Sequence, residues 1–596
     1  MFKPLPDVRR LAYFLRRPGE LRVVIRRTEY GLILLSAVVG VLAGLSVALM
    51  SEISSKMHQL IFGIFDGERL SSGDVDGIKI LIAPIAGGIL LGILFLILRT
   101  WRKKPMIDPI EANALHGGRL SLTDSALVAV QNLISNGFGA SVGLEAGFTQ
   151  LSSGLASRVG LLMQLRRADM RILVGCGAAG AIAAAFNAPL TGAFYAFELI
   201  IGTYTILSLA PVVVSALVAT VVTRLFFGDS FVIDIGEFGR TMPTDYLPAV
   251  VLGVFCSIGG ILIMQGVSFI EEIARKSSIS PAMRPAIGGV AVGLIALVDH
   301  RVLSAGHGAL HDSLDIEMTV PALLAILALK SVATAISIGS GFRGGLFFAS
   351  LFLGALLGKL FAYAAPFIFA HATVTPVVYA VVGMSALAVA VIGGPLTMTF
   401  LALEVTGDFP ITVLALAAVI TSSVVVRTTF GYSFATWRFH LRGESIRSAH
   451  DVGWIRNLIV QRMMRADVKT AVIDTPLEKF RKDFPLGATQ RVILTDEAGK
   501  YAGIVLLPEV YSASQPQEDE EPLTLASFAR YRNDVLLGTM NAKQAAQMFD
   551  RLEAEALAVV NNQIERRVIG LLTESHTLRR YSEELDRRRR EESGEI

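Results

Sequence analysis

Cysteine is nearly absent: Cys176 and Cys256 are the two in 596 residues. Both lie inside apolar runs, so no disulfide framework is expected and buried packing is the role assigned to each thiol. Histidine is thin as well, with nine scattered along the chain. The apolar part contains no His-Glu-x-x-His, no Gly-x-Ser-x-Gly with a plausible base and no Cys/His cluster, so neither an intramembrane enzyme nor a metal or organic cofactor is expected. Net charge is only +3, too small to imply nucleic acid as a partner. Charged residues make up 18% of the chain against 53% hydrophobic, with mean hydropathy +0.56. That balance is too apolar for a soluble protein and too charged for one that is all membrane. A signal peptide is not expected either, because the first apolar run starts late and is too long for an h-region.

What is present is unevenly placed. Apolar runs of spanning length fill the chain from about residue 30 to 430, beginning with 30–50 and 78–98. Lys3, Arg9, Arg10, Arg16, Arg17, Arg22, Arg26 and Arg27 crowd the start, which by the positive-inside rule puts the N-terminus in the cytoplasm. The expected organisation is a basic cytoplasmic N-terminus at 1–29, a polytopic membrane domain at 30–445, a linker at 446–459 and a soluble region at 460–596. The soluble region alternates β-like and helical runs in two units, 460–509 and 537–584, around an acidic loop at 515–522. Within the membrane part, the clusters at 166–169 and 275–278 read as interfacial loops, and Asp408-Phe409-Pro410 as a break near a membrane face.

Glycine supplies the main clue. The stretch Gly137-Phe138-Gly139-Ala140-Ser141-Val142-Gly143-Leu144-Glu145-Ala146-Gly147 has the same glycine rhythm as Gly339-Ser340-Gly341-Phe342-Arg343-Gly344-Gly345-Leu346-Phe347-Phe348-Ala349, with Glu145 opposite Phe347. Further on, Asn187-Ala188-Pro189-Leu190-Thr191 with Glu198 is matched by Gly393-Gly394-Pro395-Leu396-Thr397 with Glu404, each glutamate nine residues beyond its proline. Two halves with the same breaks point to an internally duplicated transporter. Backbone that leaves a helix in lipid must be buried in protein or line a wet cavity, and a helix that begins there offers unpaired N–H groups to an anion. Gly143–Gly147 and Gly344–Phe347 are therefore expected to be two converging helix starts. The carboxylate of Glu145 can occupy such a site and leave it when protonated, making it gate and proton carrier. Small-xxx-small spacing also makes plain helix packing faces; repetition of the whole broken motif is what favours the ion site.

At these residues the chain resembles the CLC family of chloride channels and proton-coupled chloride exchangers. Gly175 to Gly192, running into Phe186-Asn187-Ala188-Pro189-Leu190-Thr191-Gly192, is very like the family's Gly/Ala-rich run into Phe-Asn-Ala-Pro-Leu-x-Gly. The segment from Pro395-Leu396-Thr397 to Glu404-Val405-Thr406-Gly407-Asp408 looks like its second-half partner. The resemblance implies a polytopic α-helical membrane protein with an inverted internal repeat and broken helices, plus a C-terminal α/β pair of CBS domains. It also implies a homodimer with one anion pathway per subunit, in a bacterial-type inner or cell membrane with both termini cytoplasmic.

Carried over by position, the resemblance makes Glu145 the gating glutamate and the amides of Leu346 and Phe347 the central anion ligands, with Gly143 and Gly345 admitting the ion to the backbone. Met106 stands where the family has a serine hydroxyl on chloride, and Phe434 where it has a tyrosine hydroxyl, Tyr432 being the second candidate. Leu199 stands where exchangers place a proton-relaying glutamate. Glu198 and Glu404 are expected to be structural. The function implied is transport of chloride or a similar small anion, with chloride as the bound ion and protons as a second partner still open. A methionine at the Met106 position also occurs in the fluoride-exporting branch, which keeps a fluoride/proton antiporter as the alternative; packing is the other role open to Met106. A non-conducting sensor with regulatory CBS domains is the alternative of another class. Neither Gly503-Ile504-Val505-Leu506-Leu507-Pro508-Glu509 nor Gly570-Leu571-Leu572-Thr573-Glu574-Ser575-His576 carries the aspartate with which CBS pairs often bind adenine nucleotides, so a dimerisation or regulatory role is expected of the tail, with adenine nucleotide at the CBS pair as the weaker alternative.

Overall fold

The computed structural model describes residues 29–65, 69–73, 75–101, 106–228, 242–315, 318–369, 375–431, 433–441, 458–512 and 524–592. The basic N-terminal cluster, Pro105, Tyr432, most of the linker and the acidic segment at 515–522 lie outside the described residues. The chain divides into two compact units, Met1–Asp451 and Val452–Ile596.

Among the described residues, the regular elements of the first unit are all helices. Its first half runs α1 (Glu29–Phe62), α2 (Gly77–Trp101), α3 (Pro109–Leu115), α4 (Leu122–Gly137), α5 (Glu145–Leu162), α6 (Arg167–Phe186), α7 (Pro189–Tyr195) and α8 (Ile206–Phe227). A π-helical turn, Ala196–Ile201, follows α7 directly. The second half runs α9 (Tyr246–Lys276), α10 (Arg284–Val298), α11 (His307–Asp315), α12 (Val320–Ser340), α13 (Phe347–Ile368), α14 (Pro376–Ile392), α15 (Pro395–Thr406), α16 (Phe409–Thr429) and α17 (Phe434–Leu441). Among the described residues, eight helices are long and apolar enough to cross a membrane.

Several chain breaks are written in the sequence. Asp408 accepts from the amide of Ile411 at 2.8 Å and so caps α16, with Pro410 just inside it. The cluster at 166–169, expected to be a loop, instead opens α6: Arg166 is the N-cap and Asp169 sits in the first turn, where a negative charge suits the positive helix end. The basic pair Arg275 and Lys276, likewise read as a loop, ends α9 at the opposite pole.

Packing relies on missing side chains. A Cβ on Gly88 of α2 would overlap the Pro285 carbonyl of α10, and one on Gly289 of α10 would overlap the Pro84 carbonyl of α2. Such reciprocal approach lets two backbones touch without the hydrophobic drive that water would give. A large buried cluster then gathers Phe186, Leu346, Phe347, Phe348, Phe434 and most of α14.

The second unit holds two three-stranded sheets of one pattern. In the first, β1 (Thr470–Val472) pairs parallel with β2 (Arg491–Thr495), and β2 antiparallel with β3 (Tyr501–Leu506). In the second, β4 (Leu536–Leu537), β5 (Ala556–Val560) and β6 (Val568–Thr573) repeat that order. Helices α18 (Val460–Met463), α19 (Leu477–Asp483), α20 (Leu507–Ser512), α21 (Ala542–Leu552) and α22 (Glu574–Glu592) complete it. Asn541 and Gln544 form a capping box on α21, whose Phe549 seals the core with Leu557 and Val559.

Candidate functional site

The two glycine-rich breaks meet. The Gly143 amide donates to the Gly345 carbonyl at 3.0 Å, and the Gly345 amide donates back to the Gly143 carbonyl at 3.1 Å, a one-residue antiparallel bridge. Two residues past each glycine a helix begins, α5 at Glu145 and α13 at Phe347. Their N-caps, Leu144 and Leu346, share one conformation (φ −86°, ψ −11° and φ −96°, ψ 0°) and give no side-chain cap. No N-cap side chain takes the first amides of either helix, and the positive ends of both dipoles are brought together.

Glu145 sits in that place, 4% exposed. Its Oε2 is buried without a hydrogen-bond partner. An unsatisfied buried acceptor costs about 1–3 kcal/mol, so the seat holds the side chain only weakly. The carboxylate occupies the space a Gly143 side chain would fill: a Cβ there would overlap Oε2, with Cδ at 2.8 Å and Oε1 at 3.0 Å. A Cβ on Gly345 would lie 3.4 Å from both Oε2 and the Ala146 amide nitrogen, an ordinary contact.

Two asparagines four residues apart on α4 hold the breaks in shape. Asn132 donates to the Gly143 and Arg343 carbonyls at 2.9 and 3.1 Å and accepts from the Gly147 amide at 2.7 Å. Asn136 donates to the Val142 carbonyl at 2.8 Å and to Ser304 Oγ at 3.0 Å. The fully buried Lys330 stands behind, donating to the Val302 and Ser304 carbonyls at 2.9 and 2.7 Å. These residues were not singled out in the sequence; polar side chains at i, i+4 on an otherwise apolar helix are the signal that could have found the asparagines.

The Pro-Leu-Thr helices are cross-capped. Glu404 of α15 accepts from the amides of Leu190 and Thr191 on α7 at 2.7 and 2.8 Å and from Thr191 Oγ1 at 2.7 Å. Glu198, in the π turn after α7, does the same for α15, accepting from the Leu396 and Thr397 amides at 3.0 and 2.9 Å and from Thr397 Oγ1 at 2.7 Å. Carboxylates spent on helix N-termini in this way are structural groups.

Met106 lies half-buried at the start of the segment leading into α3. The next residue, Ile107, takes a hydrogen bond on its carbonyl from Gln150 of α5 at 3.0 Å. Phe434 is 8% exposed and belongs to the same cluster as Leu346 and Phe347. Neither Met106 nor Phe434 brings an O–H donor. Leu199 is half-buried, and a Cβ on Gly393 would lie 3.4 Å from its Cδ2.

A model of the family "Voltage gated chloride channel" matches residues 94–427, a span that contains both breaks and both Pro-Leu-Thr helices. The chain belongs to this family. Among its CLC relatives, a "Putative chloride channel protein ClcB-like" of Ralstonia nicotianae is 32% identical over 354 residues, 59% of this chain and 82% of that protein. The "Voltage-gated ClC-type chloride channel ClcB" of Escherichia coli is 27% identical over 407 residues, 66% of this chain and 96% of its own. Among solved structures, a slow cyanobacterial Cl−/H+ antiporter superposes with TM-score 0.61 at 20% identity, covering 69% of this chain and 97% of that one. A CLC-type fluoride/proton antiporter gives 0.56 at 20% identity, covering 67% and 96%. A eukaryotic CLC transporter gives 0.59 at 18% identity, covering 93% and 98%. These superpositions establish a CLC-like helical membrane fold for the chain.

Proposed function

We propose that this protein carries chloride or a similar small inorganic anion across a membrane, through a pathway gated by Glu145. The observation that carries the reading is the bridged pair of helix starts, with an unpartnered carboxylate oxygen of Glu145 held where their amide ends converge. A negative group already occupies the spot, and an anion taking its place gains the same dipoles. In this reading Glu145 gates, the amides of Leu346 and Phe347 hold the anion, and Gly143 and Gly345 let the backbone approach it. Met106 and Phe434 line the pathway without hydroxyls. The names of the chloride channel relatives support chloride as the cargo.

Fluoride is the second reading, favoured by Met106 and by the likeness to a fluoride/proton antiporter. Leu199, with no titratable group, speaks against a fixed proton relay at that position.

An inverted repeat is part of the proposal. Equivalent residues that exchange identical bonds, Gly143 with Gly345 and Glu198 with Glu404, are what a local two-fold axis relating two halves produces. The tail is read as a CBS pair, supported by its two sheets of one order and by a eukaryotic CLC likeness that extends over 93% of the chain. The domain limits proposed above, a homodimer in a bacterial-type inner membrane, and cytoplasmic termini complete the reading.

Purified protein in liposomes, followed with chloride and pH electrodes together, tests it. Chloride efflux above that of empty liposomes is expected, and Glu145→Gln, which resembles the protonated side chain, should alter that flux and abolish any proton movement. Flux equal to empty liposomes would leave a non-conducting protein and refute the reading.

A further inference from the structure

Tyr195, the last residue of α7, stands between the two parts of the site. One face of its ring meets Phe347, the residue that opens α13, with ring centroids 6.1 Å apart at 49°. Elsewhere it packs against the small buried cluster of Ala112, Leu120, Val174, Ala178 and Ile200, which Ile107 and Ile110, just past Met106, also cover. Its phenol lies near the Thr149 side chain and within electrostatic range of Glu145 and Asp108. The placement is enforced from outside, because α7 is pinned by Glu404 at its start and continues into the π turn that carries Glu198.

Of these two neighbouring hydroxyls, that of Thr149 already has its acceptors. Thr149 Oγ1 donates to the Glu145 carbonyl at 2.9 Å, with the Ala146 carbonyl at 3.2 Å. Thr149 therefore meets the helix carbonyls with its own proton, and the phenol proton is the spare one, able to turn between Thr149 Oγ1 and a ligand. The Asp108 carboxylate is already committed, accepting the Glu111 amide at 2.8 Å as the cap of α3. With a thioether at 106 and a plain phenyl at 434, the Tyr195 phenol is the neutral O–H donor that the geometry brings to this stretch.

We propose that the Tyr195 hydroxyl is a direct ligand of the transported anion and a determinant of which anion is held. The proposal rests on the anion-pathway reading above and deepens it. A neutral donor suits a pathway that also seats a carboxylate, because it binds the ion without forming a permanent pair with Glu145. Small, strongly accepting anions gain more from such a donor than diffuse ones do, so the hydroxyl favours chloride over nitrate.

The test uses the full-length protein in liposomes, with Tyr195→Phe keeping the ring and removing the donor. A hydrogen bond to a charged group corresponds to about a tenfold to hundredfold change in affinity. The half-saturating chloride concentration should rise by about tenfold or more, with a smaller change in maximal rate, and the chloride-over-nitrate preference should fall. A packing role would not shift selectivity in this way. Thr149→Val gives a second measurement: removing the competing acceptor frees the phenol proton and should lower the half-saturating concentration. An unchanged concentration and unchanged permeability ratios in Tyr195→Phe, in a protein whose wild type transports, would overturn this proposal alone. If Tyr195→Phe does not fold, an unchanged half-saturation in Thr149→Val overturns it. Wild-type flux no greater than that of empty liposomes would overturn the pathway reading and this proposal with it.

Discussion

Adding one methyl group at Gly143 should open the gate without touching the gating residue. The Cβ of alanine would overlap Glu145 Oε2 and crowd Cδ and Oε1 at 2.8 and 3.0 Å. Gly143 is not among the glycines with positive φ, so alanine is compatible with the backbone there. The atoms in the way belong to the far end of a flexible side chain, and rotation of Glu145 relieves the overlap. The seat is shallow: about 1–3 kcal/mol is lost at the unpartnered oxygen, against about 0.3–2 kcal/mol gained from the helix ends. Shifting that balance by one or two kcal/mol changes gate occupancy by a factor of about 5–30. Gly143→Ala should therefore raise chloride efflux from liposomes severalfold and flatten its pH dependence, as Glu145→Gln should. Gly345→Ala, whose Cβ would make only ordinary 3.4 Å contacts with the carboxylate, leaves Glu145 seated and should keep the wild-type pH dependence even where the added methyl weakens anion binding. Wild-type flux and pH dependence in Gly143→Ala, or identical behaviour of the two alanine variants, would refute the placement of the carboxylate over Gly143.

Four further outcomes follow from the same geometry. Glu404→Gln replaces a charged acceptor of three hydrogen bonds by a neutral one and should destabilise the membrane unit by about 1–3 kcal/mol, read as a lower melting temperature in detergent. Glu198→Gln should lower it by a similar amount, since its three bonds are equivalent. Lys330→Met strands the Val302 and Ser304 carbonyls at about 1–3 kcal/mol each; a melting temperature equal to wild type would show that these carbonyls find other donors. Met106→Ser should shift permeability ratios among halides and nitrate, and identical ratios would assign Met106 to packing.

The helix starts at Glu145 and Phe347 were legible because one glycine rhythm stands before both, and at Gly344 a side chain would run into Val142 and the Gly143 carbonyl. The Pro-Leu-Thr breaks were legible for a related reason, proline being tolerated at the first helical position. What the sequence did not disclose is who meets whom across some two hundred residues. Glu198 and Glu404 stand at matching offsets, yet nothing local says that each caps the other's helix. Asn132 and Lys330 are visible as polar residues in apolar helices, but their targets are backbone carbonyls, which carry no sequence signature. Tyr195 was hidden for the same reason, since its importance arises from where α7 ends. The basic clusters at 166 and 275 were read as loops because charge in a membrane chain implies an interface; helix ends reach that interface equally well, and their dipoles favour those signs.

The most direct test of the central claim is a crystal of the Glu145→Gln protein grown in bromide. An anomalous peak within hydrogen-bond distance of the Leu346 and Phe347 amides, beside the Gly143–Gly345 bridge, is the result this account requires. A well-ordered site with no bromide there, or bromide bound only elsewhere along the chain, would contradict it.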